Sequence, residues 1–336
     1  MQIVPASILL QISKDFVDHR SRREQSWYWY SEGDHGGATP FAIQNLYRGQ
    51  NKRYLPMLPS ISRGMSSENT GELWKYAISD QAKIVLRLAQ SWWFSQELDH
   101  HPITSHAANQ KLELDRIALA QHYGIPTGYL DLTDDFNVSA FFATCYETKN
   151  GWQPITSGTG IIYRVNPLDI SMYFPLGPQA LPRPTEQCAW VTELPLCHAF
   201  DGWPDVTMMQ FHHDKHIGEY FLEMFSGGEK LFPPDPLADV ASEILACREI
   251  PADLIENALE SFTQDPHGVK ISHLKAIRKE LTKITTLNSY RRLLTDEKVS
   301  LLLTDIEWRK KMLQDVKARA SAIRRIAIPI DGDTNH

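Results

Sequence analysis

The sequence predicts an α+β fold: a mixed or antiparallel sheet with packed helices, followed by a helical C-terminal segment. Three observations carry this expectation. Runs rich in β-branched and aromatic residues, over residues 41–47, 129–133 and 158–165, read as short strands. Residues 73–98 and 111–123 place apolar side chains near the 3.6-residue period of a helix. From Pro251 the strand signal ends, and residues 251–262, 271–294 and 304–323 all read as helices. A length of 336 residues suits one large core, or a core with a smaller added unit. The organisation predicted is an irregular lead-in over residues 1–40, an α+β domain over 41–250 and a helical segment over 251–330.

Each element has its own signal. The lead-in carries the aromatic run Trp27-Tyr28-Trp29-Tyr30 and a glycine-rich break between Gly33 and Gly37. The first strand ends on Arg48-Gly49, and Pro56 and Pro59 keep residues 54–63 extended or looped. In the helix over 73–98, Ile84, Val85, Leu88 and Trp92 recur at helical spacing, and Pro102 marks a break after it. Leu114, Ile117, Ala118 and Gln121 share a face of the next helix, which Gly124 and Pro126 stop. Residues 129–133 form a strand, after which Asp134 or Asp135 caps a helix. Phe136, Ala140, Phe141, Ala143 and Cys145 make that helix apolar nearly all round, so it is expected to be buried. Residues 158–165 and 188–194 are strands, separated by a proline-rich loop over 175–184.

Composition narrows the function classes. Hydrophobic residues are 42% and charged residues 22% of the chain, with nine Trp, twelve Tyr and thirteen Phe, so most of it can fold around a core. The net charge of −7 disfavours a general nucleic-acid binder, which needs a basic surface. Four cysteines without a C-x-x-C pair signal neither a zinc site nor a disulfide framework. The Ile8-Leu9-Leu10 run lacks a basic start and a cleavage pattern, so no signal peptide is expected. No stretch nears the roughly 18–20 apolar residues of a membrane helix, so no membrane association is expected and the cytoplasm is the default compartment.

Three groups of residues point to chemistry. Arg48 sits at a strand end before Gly49, where a guanidinium fork meets phosphate or carboxylate and glycine admits a close backbone approach. A structural arginine bonded to carbonyls reads the same in sequence. The run from Gln121 to Thr133 places His122 near a helix end and Asp131 on a strand, so His122 suits acid–base work with Asp131 orienting it. Equally, His122 caps a helix C-terminus and Asp131 satisfies backbone donors. His212 and His216 stand one turn apart if helical, the spacing of a metal clip, although no glutamate base lies between them and no metal is expected. Finally, Arg309, Lys310, Lys311, Lys317, Arg319, Arg324 and Arg325 make residues 304–325 a basic helix, readable as a docking surface for a protein or nucleic-acid partner or as a solvated face.

The segment Leu46-Tyr47-Arg48-Gly49-Gln50 resembles the Phe/Tyr-Arg-Gly signature of the FRG domain. The run Gln121-His122-Tyr123-Gly124-Ile125-Pro126-Thr127, the Leu130-Asp131 strand and Phe141-Phe142-Ala143 resemble that family's second hallmark. Glu186-Gln187 before Trp190, and Leu231-Phe232-Pro233, are similar to weaker family features. Gly128 and Leu132 depart from the family, which commonly carries Arg and Trp there. The aromatic-Arg-Gly strand is also similar to the first motif of Arg-Ser-Glu ADP-ribosyltransferases. That resemblance implies a nucleotide-binding enzyme using nicotinamide adenine dinucleotide (NAD), in a toxin or defence setting. Tyr47, Arg48 and Gly49 would hold the cofactor. His122, Asp131, Thr133 and Gln187 would form the catalytic set. The late glutamate of those enzymes has no clear counterpart, with Glu186, Glu193, Glu219 and Glu223 as options. The alternative implied by Gly128 and the missing glutamate is a non-catalytic binding module.

Overall fold

The computed structural model describes residues 3–20, 27–32, 35–40, 45–65, 71–109, 115–167, 172–176, 181–194, 198–233, 235–307, 309–310 and 323–325. Strands β1 (Trp27–Glu32) and β2 (His35–Pro40) form an antiparallel hairpin. The main sheet uses β3 (Leu46–Gln50) and β4 (Tyr129–Thr133). A separate hairpin of β5 (Cys145–Thr148) and β6 (Gly151–Pro154) follows. The sheet then takes β7 (Thr159–Val165), β8 (Tyr173–Pro175), β9 (Ala189–Glu193) and β10 (Val206–His212). Its order is β10-β7-β3-β4-β9-β8, and every pairing is antiparallel. The α+β expectation holds, with the sheet antiparallel.

Strand alternation sorts the sheet into two faces. Leu46, Leu130, Leu132, Tyr163, Val165 and Trp190 share one buried cluster with Met57 and Phe200 from the loops. On the other face lie α1 (Ser7–Arg20) and, further along, α5 (Phe136–Thr144), reached after α2 (Ile78–Leu98), α3 (Pro102–Asn109) and α4 (Arg116–His122). Phe136, Ala140, Phe141 and Ala143 of α5 are buried there with Ile162, Phe211 and Leu9. Asp135 is the cap of α5, accepting from the Asn137 N–H at 2.8 Å.

The lead-in is not irregular. Leu9 is fully buried, and Ile8, Ile12 and Phe16 pack on the same cluster, so helical spacing of apolar residues drives α1 onto α5. Ser13 Oγ donates to Asn137 Oδ1 at 2.6 Å across that contact. Two prolines predicted to interrupt structure instead begin helices: Pro102 opens α3, and Pro182 opens the short α6 (Pro182–Glu186). In the first turn the missing proline N–H has no intrahelical partner to lose.

Helices α7 (Lys215–Met224), α8 (Pro236–Ala246), α9 (Ala252–Gln264), α10 (Leu274–Ile284) and α11 (Asp296–Thr304) follow. Trp93 and Phe94 of α2 share one core with Ile244, Leu254, Phe262, Ile277 and Leu302, so the C-terminal helices pack onto α2. The helix predicted over 271–294 breaks after Ile284. There Thr286–Asn288 forms strand β12, parallel to β11 (Glu249–Pro251), and Thr285 and Thr286 both bond the Arg248 carbonyl. Of the predicted basic helix over 304–325, Thr304 ends α11, residues 306–307 and 309–310 are again helical, and residues 308 and 311–322 lie outside the described residues. Ile323–Arg325 is a strand, β13, parallel to β1, rather than helix. No described helix is long and apolar enough to cross a membrane.

Candidate functional site

The site grows from the seam between the two central strands. β3 and β4 pair at Tyr47↔Thr133, and their ladder ends there, whereas each is fully paired on its outer side. Beyond that pair the backbone groups need other partners. The Arg48 side chain supplies one, its Nη1 donating to the Asp131 carbonyl at 2.6 Å. A cavity of about 160 Å³ opens in this seam, lined by Tyr47, Arg48, Gly49, His122, Asp131, Leu132, Thr133, Val138, Ser139, Phe142 and Gln187. All seven site residues expected from sequence therefore line one cavity.

Local sequence explains how they meet. Asp115 caps the start of α4 by accepting from the Ala118 N–H at 2.9 Å. At its end Gly124 takes φ +86°, with Gly124 N–H bonded to Gln121 O and Ile125 N–H to Ala120 O, each at 3.0 Å. That pattern is the Schellman motif, in which glycine avoids the left-handed penalty of other residues. It reverses the chain so that Gln121 and His122 face Asp131 on β4. Gln121 Nε2 donates to Asp131 Oδ2 at 3.0 Å, while its Oε1 accepts from Ser60 Oγ at 2.5 Å and Thr127 Oγ1 at 2.9 Å. Those hydroxyl donors fix which way the Gln121 amide points.

Opposite α4, Gln187 follows α6. Its Nε2 donates to Leu231 O at 3.0 Å, which turns Oε1 toward His122 Nδ1 at 3.2 Å. Cys188 beside it has φ +46°, a conformation uncommon outside glycine, and it closes the turn into β9. Thr133 Oγ1 donates to Gln187 O at 2.8 Å and accepts from Asp135 N–H at 3.0 Å, so this hydroxyl staples β4 to the Gln187 turn. Gly49 serves packing: a Cβ there would stand 1.7 Å from Ser139 O of α5. The close approach expected for a ligand is made by the helix backbone.

Arg48, Arg63 and Asp131 influence one another's charge at the seam. Burial, with Arg63 adding repulsion, pushes the Arg48 guanidinium down to about 10, while Asp131 opposes the shift. Arg48 stays a cation at neutral pH. Arg63 is itself lowered by burial, with Asp131 raising it. Two guanidiniums thus act beside one carboxylate. Arg48 Nε, His122 Nε2 and Asp131 Oδ1 are buried with no hydrogen-bond partner among the described residues.

Other sequence candidates fall elsewhere. Glu186, Glu193, Glu219 and Glu223 are not among the lining residues, and Asp131 is the carboxylate that is. His212 ends β10, whereas His216 lies in α7 after the Asp214 cap and bonds Glu219 at 3.2 Å, so the metal-clip spacing is not helical. No metal-holding group of His, Cys, Asp and Glu occurs among the described residues. Gly128 lies before β4, outside the lining, and Leu132 is in it. Gln121 and Phe142 stand in the second motif without a role assigned from sequence, and Arg63, Ser60, Val138 and Ser139 carry no sequence signal for the site. Gln121 adjoins His122 within the second motif, which was its available signal.

Residues 44–151 match the FRG domain, a span covering both motifs and most of the cavity wall; the chain carries that domain. No curated protein and no solved structure matches the chain.

Proposed function

We propose that this FRG-domain protein is a nucleotide-binding enzyme of the ADP-ribosyltransferase type, with one ring of NAD in the cavity between β3 and β4. The observation that carries the reading is the convergence of Tyr47, Arg48, Gly49, His122, Asp131, Thr133 and Gln187 on that cavity. Its size favours a single ring. A cavity of about 150 Å³ holds benzene, whereas sites enclosing drug-sized ligands run to roughly 300–1,000 Å³. The rest of a dinucleotide would therefore extend outside it, near the charges of Arg48 and Arg63. Tyr47 and Phe142 offer aromatic surface to the ring.

Asp131 takes the part for which a late glutamate was sought. Cleavage of a glycosidic bond passes through a cationic sugar, which a fixed carboxylate stabilises. Gln121 holds one Asp131 oxygen, so the other is pre-set.

Calorimetric titration of NAD into wild type and Arg48→Ala tests this reading, with Arg48→Lys retaining the charge and thermal melts verifying folding. Wild type should bind in the micromolar range. Losing a charge-assisted hydrogen bond of about 1.5–3 kcal/mol should weaken Arg48→Ala by roughly 10- to 100-fold. No binding by wild type, or equal binding by folded Arg48→Ala, would overturn it.

A further inference from the structure

The hydrogen bonds around His122 fix where its proton sits. Gln187 Nε2 is committed to the Leu231 carbonyl, so the group facing His122 Nδ1 is the amide oxygen, which only accepts. The network therefore places the hydrogen of a neutral His122 on Nδ1 and leaves the Nε2 lone pair free. Asp131 does not orient the imidazole from behind. It stands on the opposite side, with Oδ1 at 3.6 Å from Nε2.

Two acceptors thus face one small volume. The distance exceeds a hydrogen bond, and neither atom has another partner among the described residues. The second Asp131 oxygen is bound to Gln121, so the carboxylate is not free to rotate away. The His122 side chain is 3% exposed and that of Asp131 35%, so the pair is enclosed behind His122 and open beside Asp131. A buried acceptor without a donor costs about 1–3 kcal/mol. Water entering from the Asp131 side has a hydrogen for each acceptor and an alcohol has one for Nε2, whereas a carbonyl or a metal ion carries none.

We infer that His122 Nε2 and Asp131 Oδ1 bind and deprotonate a hydroxyl nucleophile, so that the acceptor in this reaction is water or an alcohol. The inference rests on the NAD reading above and names its second substrate class. In the step, the hydroxyl proton moves to Nε2 and the oxygen forms a bond to the ribose C1′. The C1′–N bond breaks, and its electron pair stays on the ring nitrogen, which leaves as neutral nicotinamide. The imidazolium rests beside the Asp131 carboxylate and returns its proton to solvent. No oxidant or reductant is needed. Gln187 is a positioning residue, acting through the tautomer it sets.

Nitrogen NMR of the full chain without ligand tests the pair alone. Asp131 on β4 stands 3.6 Å from His122, Arg48 on β3 lines the same cavity, and Gln187 from the α6 side is neutral. The neutral imidazole of His122 should carry its hydrogen on Nδ1, facing the Gln187 amide oxygen. A hydrogen on Nε2 would overturn the inference. Nicotinamide release from NAD then tests the step, with water and with added methanol. His122→Asn keeps a donor for Gln187 and removes the basic Nε2. It should lower kcat by about 100-fold or more, since general-base catalysis is worth roughly 100- to 10,000-fold, while the Kd for NAD changes little. A normal rate in His122→Asn, or weaker NAD binding with an unchanged rate, would overturn it; so would wild type that binds NAD and releases no nicotinamide under either condition. Failure to bind NAD would instead sink the nucleotide reading, and the tautomer measurement would still judge the acceptor pair.

Discussion

A methyl group on Gly49 would overlap the Ser139 carbonyl oxygen at 1.7 Å and crowd the Ala143 amide at 2.9 Å. Both atoms belong to the α5 backbone, so neither can yield by changing a rotamer. Overpacking of a close-packed interior typically costs 1–3 kcal/mol, and movement of a helix puts this site at the upper end. Gly49→Ala should therefore destabilise the protein by about 3 kcal/mol or more in urea denaturation; an unchanged midpoint would contradict the packing role. At this scale the residues picked from sequence meet in one cavity, and the packing gives some of them another part than the one expected. Arg48-Gly49 stood out as a pair, yet a glycine needed by a helix looks the same in sequence as one needed by a ligand. His122 and Asp131 were both visible as acid–base candidates. Which imidazole nitrogen faces Asp131 was not, because it depends on Gln187, 65 residues away, and on the Leu231 carbonyl that orients its amide.

Elements succeed or fail on how local their signals are. The turn after α4 was legible from Gly124 and Pro126 because its hydrogen bonds all lie within six residues. Gly124→Ala forces a Cβ into φ +86° and should cost about 1–2 kcal/mol. Gly128→Ala makes a control four residues on, since its Cβ meets only Leu194 O at 3.8 Å within contact range. Comparable losses in the two variants by urea denaturation would contradict the Schellman assignment. Pro102 and Pro182 misled because proline is permitted in a first helical turn and forbidden in an interior. Which applies depends on where the helix starts. The early end of the β3–β4 ladder had no sequence signal at all. It is a property of two strands about 80 residues apart, and it opens the space that the candidate site uses.

The whole molecule ties the site region to the C-terminal helices through α2. Buried Glu97 accepts from the Leu293 and Leu294 N–H groups at 3.0 and 2.7 Å, from Tyr290 OH at 2.9 Å and from Trp93 Nε1 at 3.2 Å. This satisfied carboxylate holds residues 290–294 on α2, a contact that spans almost 200 positions and leaves no local trace. His101, 1% exposed, gives the fold a pH dependence. Burial pushes it down from 6.5 to about 4, against an opposing pull from Asp235. Between those values the unfolded chain binds a proton that the folded chain refuses, so stability falls as pH drops from 6.5 toward 4. The loss is on the order of 3 kcal/mol and complete below the folded value. Denaturant midpoints across that window should fall for wild type and flatten for His101→Gln; parallel profiles would contradict the assignment. The central claim, a ring of NAD seated between β3 and β4, is tested most directly by intermolecular nuclear Overhauser effects. Contacts from nicotinamide or ribose protons to the Tyr47 and Phe142 rings are the predicted result. NAD bound with its contacts elsewhere on the protein, or not bound at all, would contradict it.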